Sequence, residues 1–261
     1  MSIEESIYDY LKTLGDDIFP VCYLEKATVL LSGSAGWGIP EGSDNKADWD
    51  IHIIFQDKDY ERFIERFGKE HLIDDHDHNP KVFGQIKSQS WLKKRLVSDD
   101  PKWWPLYLWI YTNGKWVVDN SNVMHLVKEA TLRFDNELEK LLEKYFVNFC
   151  VLKCDVKSSS VRGNDFAAQL YQSNCIQTAL ETFSLARGKC YPYRKWLEKH
   201  ILRLDGGEKL IEACKESMNT FNDVMNRNKK LKIIEQILIE AIQKEPNDRL
   251  WLHKWWIYND N

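Results

Sequence analysis

The first apolar pattern in the chain is helical. Ile3, Ile7, Leu11, Leu14 and Ile18 recur at spacings of three and four residues, which places them on one face and predicts an opening helix that ends near Gly15 and Pro20. The β-branched run Ala27-Thr28-Val29-Leu30-Leu31 predicts a strand that stops at Gly33. The period then becomes two. From Asp48 to Phe55 polar and apolar residues alternate, so Asp48, Asp50 and His52 share one face of a second strand. Trp49, Ile51, Ile53 and Phe55 take the other face, where helices can bury them. Tyr60, Phe63, Ile64 and Phe67 predict a helix over residues 59–71, crossing back over the sheet. A hairpin broken at Asn79-Pro80 follows, with Val82-Phe83-Gly84-Gln85-Ile86 as a strand. Finally, the runs Leu106-Tyr107-Leu108-Trp109-Ile110-Tyr111 and Lys115-Trp116-Val117-Val118 flank Thr112-Asn113-Gly114. An Asn-Gly between aromatic and β-branched runs predicts a second hairpin, stopping at Asp119-Asn120-Ser121.

Near Asn122 the pattern changes from strands to long helical repeats. Helices are predicted over 133–153, 164–187, 194–204, 208–225, 229–244 and 246–258, with Gly188, Gly206-Gly207 and Pro246 as punctuation. The fold class expected is α+β: an N-terminal mixed β-sheet with flanking helices over residues 1–122, then an all-α bundle over 123–261. In the tail, Trp251, Trp255 and Tyr258 share a helix face. They are expected to dock on the bundle, with a homodimer or partner contact as the alternative.

Composition narrows the classes. With 261 residues the chain can bury one large core or two small ones. A net charge of −4 argues against a general polyanion binder, which carries a basic face to track phosphates. The six cysteines form no Cys-x-x-Cys pair and no framework spacing, so reduced thiols and a cytoplasmic location are expected. No leader with an apolar core and no run of about 20 apolar residues is read, so a membrane is not expected as a partner.

Candidate chemistry gathers at the first two strands. After Leu31-Ser32, the stretch Gly33-Ser34-Ala35-Gly36-Trp37-Gly38 frees the backbone to turn so that N–H groups face an anion. Asp48 and Asp50, two residues apart on a rigid strand, suit Mg²⁺, a hard ion that completes its shell with nucleotide phosphates and water.

Gly33-Ser34 followed by Asp48-Trp49-Asp50 resembles the nucleotidyltransferase superfamily of the DNA polymerase β type. Its signature is a strand ending in Gly-Ser and an Asp-x-Asp on the next strand. A second segment, Tyr191-Pro192-Tyr193-Arg194-Lys195-Trp196-Leu197, looks like the Pro-Tyr-x-Lys-Trp-Leu element in the helical half of small-molecule and antibiotic adenylyltransferases. The resemblance implies that Gly33 and Ser34 hold the β- and γ-phosphates of ATP, that Asp48 and Asp50 bind Mg²⁺, and that Lys195 reaches the triphosphate, with Arg162 and Arg194 as lesser candidates. His52 shares the acid face, where a supporting hydrogen-bond role is expected of it rather than ligation.

The family usually supplies a third carboxylate from a later strand, and this chain departs from that pattern. Gln85, Lys87 and Ser88 stand in the expected strand. Asp75, Asp77, Asp119 and Glu181 are the acids left to serve as general base, with Glu181 preferred. The run His71-Leu72-Ile73-Asp74-Asp75-His76-Asp77-His78 has metal-ligand residue types at close spacing, but no second ligand cluster accompanies it, so a polar loop is expected.

The expected function is Mg²⁺-dependent transfer of AMP from ATP to a hydroxyl of an antibiotic-like small molecule, with nucleic acid disfavoured as a partner. The alternative is a weak or inactive module of the same fold that binds a nucleotide or a protein partner.

Overall fold

The computed structural model describes residues 2–38, 47–97, 104–220, 223–243 and 249–259. The chain divides into two compact units, Met1–Arg133 and Phe134–Asn261.

The first unit is built on a five-stranded mixed sheet. Helix α1 (Ile3–Thr13) opens on a capping box, in which Ser2 and Glu5 satisfy each other's backbone N–H. It buries Ile7, Tyr10 and Leu11. After the short α2 (Val21–Leu24) come β1 (Ala27–Ser32), a one-turn helix α3 (Gly33–Gly36) and β2 (Trp49–Phe55). Helix α4 (Asp57–Phe67) leads to β3 (Ile73–Asp75) and β4 (Val82–Ser88). Helices α5 (Gln89–Leu96) and α6 (Trp104–Asn113) precede β5 (Lys115–Asp119). The strand order is β3-β4-β2-β1-β5, with β2 and β4 parallel and the other pairs antiparallel.

Alternation sorts the two sheet faces. Ala27, Val29, Leu31, Trp49, Ile51, Ile53, Phe55, Val82 and Ile86 point into one core with Ile7, Leu11, Phe19, Leu24 and Phe63. At the α4 end, Phe19, Tyr23, Phe55 and Phe63 pack ring to ring with centroids 5.1–6.3 Å apart. Each such pair contributes on the order of 0.5–1.5 kcal/mol beyond its buried area. The opposite face carries Ser32, Asp50, His52, Phe83 and Gln85.

One predicted strand is a helix. Leu106–Tyr111 lies within α6, so the hairpin expected around Asn113-Gly114 does not form. β5 instead pairs with β1. Trp104, Pro105, Leu106, Leu108, Trp109, Ile110 and Tyr111 are all buried, so α6 has no polar face to betray its period. Pro105 suits a first helical turn. Gly114 ends the helix, its N–H donating to the Ile110 carbonyl at 2.9 Å. Asn113-Gly114 is thus a helix stop, a role that Asn-Gly serves as readily as a hairpin turn.

Helix α7 (Val123–Val161) is longer than expected, and the division between the units falls within it. In the second unit α8 (Asp165–Ala186) packs on α9 (Arg194–Ile201), α10 (Gly207–Met218) and α11 (Val224–Ile242). Asn164 caps α8 through the Ala167 N–H at 3.2 Å, and Gly188, with φ +65°, follows its end. The break between α10 and α11 comes earlier than expected because Asp223 caps α11 through the Asn226 N–H at 3.0 Å. The tail helix expected over 246–258 is two pieces, α12 (Leu250–His253) and a 3₁₀ turn at Trp255–Ile257. Pro246 lies outside the described residues. Trp251 is buried against Phe146, whereas Trp256 is exposed. All six cysteines are free thiols, and burial pushes the Cys214 thiol up to about 12.

Candidate functional site

The site begins where β1 ends. Ser32 sits opposite Asp50 in the β1–β2 ladder and its Oγ donates to the Asp50 carbonyl at 3.1 Å. Gly33 follows with φ +64°, in the left-handed region that glycine enters without a Cβ penalty. A Cβ built on Gly33 would lie 2.2 Å from Asp50 Oδ2. The missing side chain therefore lets a carboxylate touch the backbone of the turn. Gly36 is constrained in the same way, since its Cβ would lie 2.2 Å from the Leu31 carbonyl oxygen. Ser34 is half-buried in this turn, and Trp37 packs edge-to-face on Trp109 at 4.1 Å.

Asp48 is exposed immediately before β2, and Asp50 is half-buried within it. Further along the same face His52 Nδ1 meets the Tyr111 hydroxyl at 3.1 Å. Burial, aided by the Lys87 charge, lowers the pKa of His52 to about 4. The imidazole is therefore neutral near pH 7, and the hydrogen bond it makes runs to Tyr111 and not to the acids.

The parallel pairing of β2 with β4 sets what stands beside the acids. Asp50 is in register with Phe83, His52 with Gln85 and Ile54 with Lys87. Residues paired in a ladder project to the same side of the sheet. The neighbour of Asp50 is therefore an exposed phenyl ring. Ser88 is occupied as the cap of α5, accepting from the Trp91 N–H at 3.1 Å.

The other acids singled out in the sequence have separate settings. Asp75 lies on the core side, accepting from the Tyr10 hydroxyl at 3.0 Å and from the N–H groups of Asp77 and His78 at 3.1 and 2.9 Å. These bonds hold its carboxyl below the usual range. Asp77 is an exposed turn residue. Asp119 caps α7, taking the Val123 and Met124 N–H groups at 2.7 and 3.1 Å, and also accepts from Thr28 Oγ1. The structure also singles out Asp74, which the sequence reading set aside within a polar run. It is in register with Phe83 on the face that carries Asp50, and its Oδ1 lies 3.1 Å from His76 Nε2. Among the described residues no group of three or more His, Cys, Asp or Glu side chains could hold a metal ion, so the His71–His78 run forms no metal cluster there.

Glu181 and Lys195 belong to the second unit. Glu181 is half-buried on α8 and accepts from Gln177 Nε2, and its charge helps to raise the pKa of Tyr191, after burial and the Tyr145 hydroxyl. Lys195 is exposed in the first turn of α9, its Nζ 5.4 Å from the centroid of the Trp196 ring. Lys199 lies 5.1 Å from the same ring. Arg162 and Arg194 are exposed.

A groove of about 720 Å³ lies on the core side of the first unit, lined by Tyr10, Trp49, Asp75 and His78 among others. Neither Gly33 nor Asp50 lines it, and the polar row on the other face is the stronger candidate for chemistry.

No family model matches the chain. No curated protein matches it. Among solved structures it is similar to a nucleotidyltransferase-like protein from Exiguobacterium sibiricum, with 13% identity and a TM-score of 0.45, over 93% of this chain and 78% of that one. Among the described residues no helix is long and apolar enough to cross a membrane.

Proposed function

We propose that the chain is a Mg²⁺-dependent nucleotidyltransferase that moves AMP from ATP to a hydroxyl of a small molecule. The observation that carries this reading is the approach of the Asp50 carboxylate to the backbone of Gly33, within 2.2 Å of where a Cβ would stand. The turn suited to phosphate and the acid suited to a hard cation are thereby adjacent, as a metal-bound triphosphate requires. In this reading the Gly33 N–H and the Ser34 hydroxyl hold the terminal phosphates. Asp48 and Asp50 are the ligands for Mg²⁺. Bound there, the ion neutralises charge on the reacting phosphate and on the pyrophosphate that leaves. His52, neutral and tied to Tyr111, supports the acid strand without adding a competing charge.

Calorimetry with ATP in the presence and absence of Mg²⁺ tests the site. Asp48→Asn and Asp50→Asn preserve volume and remove one ligand charge each, so metal-dependent ATP affinity should fall at least tenfold while the fold survives. Unchanged affinity in both variants would remove the assignment. Incubation with α-labelled ATP and a panel of hydroxyl compounds then tests transfer directly.

One observation favours a second reading, in which the chain binds a nucleotide without transferring it. The position beside Asp50 on β4 is Phe83, which cannot hold a cation as a carboxylate would. Tight Mg²⁺-dependent ATP binding with no label transfer to any acceptor, protein and RNA included, would decide for this reading.

A further inference from the structure

The groove of about 720 Å³ beside α1 has a chemistry of its own. Ile7 and Leu11 turn one stripe of α1 into the core. The neighbouring positions Ser6, Asp9, Tyr10 and Thr13 recur at spacings of three and four and form one wall of the groove. From Ser6 to Thr13 that wall runs ~10 Å along the helix. The facing wall comes from Trp49 of β2 and from Asp75, His78 and Asn79 at the end of β3 and in the turn after it. Tyr10, Trp49 and His78 are in mutual ring contact, with centroids 4.6–6.1 Å apart, so the two walls meet in one aromatic floor.

The protons of this lining are committed to protein acceptors. Ser6 Oγ donates to the Ser2 carbonyl at 2.9 Å, and Thr13 Oγ1 to the Tyr10 carbonyl at 2.7 Å. The Tyr10 hydroxyl donates to Asp75 Oδ2 at 3.0 Å. His78 Nδ1 lies 2.6 Å from the Pro80 carbonyl oxygen. A carbonyl only accepts, so Nδ1 carries the proton and Nε2 of the neutral ring is an acceptor. Asp75 takes three donors, the Tyr10 hydroxyl on Oδ2 and the Asp77 and His78 N–H groups on Oδ1. A carboxylate offers about four acceptor sites, so Oδ2 keeps one. Asp9 stands at the rim, 3.7 Å from Lys12 in an exposed pair of the kind that contributes little. Among the described residues no lysine or arginine lines the groove, and the donors left in it, the Trp49 indole and the Asn79 amide, are neutral.

A groove walled by acceptors and two carboxylates, over aromatic rings, calls for a ligand that donates and carries positive charge. We propose that it binds a linear aliphatic polyamine, with one ammonium group at Asp75 and another at Asp9. Each ammonium brings three donors and no acceptor, which matches the lining. The methylene chain covers the aromatic floor and the side chains of Leu14 and Ile18, and the rings attract the charge that lies over them. Trp49 faces the groove from the side of the sheet opposite Asp50. The site is therefore separate from the candidate nucleotide site and does not rest on the transferase reading.

Calorimetry on the full chain at fixed ionic strength tests this, with spermidine and cadaverine as probes and 1,5-pentanediol as the uncharged counterpart of cadaverine. Spermidine should bind one per chain, cadaverine more weakly, and the diol not at all. Asp75→Asn should lower spermidine affinity roughly tenfold, the loss of one charge-assisted bond. Asp9→Asn, on the exposed rim of α1, should lower it in the same direction with urea stability unchanged, which keeps the test open if Asp75→Asn unfolds the turn. Glu61→Gln, an exposed acid of α4 outside the groove, should leave it as it was. No spermidine binding, equal binding of the diol, or an equal loss in Glu61→Gln would overturn the proposal. A loss in Asp50→Asn with none in Asp9→Asn would place the polyamine on the acid strand and overturn it as well.

Discussion

At Gly33 any side chain would collide with Asp50, so the residue serves conformation and proximity together. Gly33→Ala imposes a left-handed backbone on a residue with a Cβ, costing about 1–2 kcal/mol, and drives that Cβ against Oδ2. Both stability in urea and Mg²⁺-dependent ATP affinity should fall. A variant with wild-type affinity would show that the contact between turn and acid does not matter for binding. The sequence made the residue types at this corner legible, because Gly-Ser after an apolar run and Asp-x-Asp in a period-two run are local patterns. It did not make Asp74 legible. A carboxylate in a polar run looks like surface charge until the register of an edge strand aligns it with Asp50 and Phe83.

At the scale of elements, the misread strand shows where local pattern loses its power. The Leu106–Tyr111 run is buried at every position but the half-buried Tyr107, and a continuous apolar run has no period to read. Asp119 is the counterpart. It follows a β-branched strand as a stop residue, yet in the fold it is also the anchor of α7, accepting from two helix N–H groups and from Thr28. Asp119→Ala should cost about 1–2 kcal/mol in urea unfolding, the value of a well-used helix cap. A loss of transfer with stability unchanged would instead make Asp119 a functional acid. The same cap logic explains the early start of α11 at Val224, where the Asp223 side chain accepts from the Asn226 N–H.

For the whole molecule, two histidines on separate units set a pH dependence. His52 and His200 are both lowered to about 4, His52 by burial and then Lys87, His200 by burial and then Arg203 and Lys189. His200 Nε2 is also 2.8 Å from Ser184 Oγ. In the unfolded chain each protonates near pH 6.5, whereas in the fold each stays neutral until about pH 4. Unfolding therefore takes up protons between those values, and stability present above pH 6.5 is lost as the pH falls toward 4. By pH 5 each histidine should have withdrawn about 2 kcal/mol. Urea unfolding at pH 7 and pH 5 measures the sum, and His52→Gln should remove about half of the decline. A decline of unchanged size in that variant would exclude His52 as its source.

What the sequence determined by itself was whatever a window of ten residues can encode: the α+β succession, the period-two strand that puts Asp48, Asp50 and His52 on one side, and the glycine turn that precedes it. Those features follow from backbone geometry and from the alternation of apolar and polar side chains, which are properties of neighbours along the chain. Tertiary structure alone decided that Gly33 meets Asp50, that Phe83 fills the place beside that acid, that Asp75 and Asp119 are committed to Tyr10 and to α7, and that Asp74 joins the row. Each of these depends on strand order, register and burial between segments distant in sequence. Burial of the common apolar face selects one register among many, because a slip by a single residue would turn every acid inward and every core side chain outward.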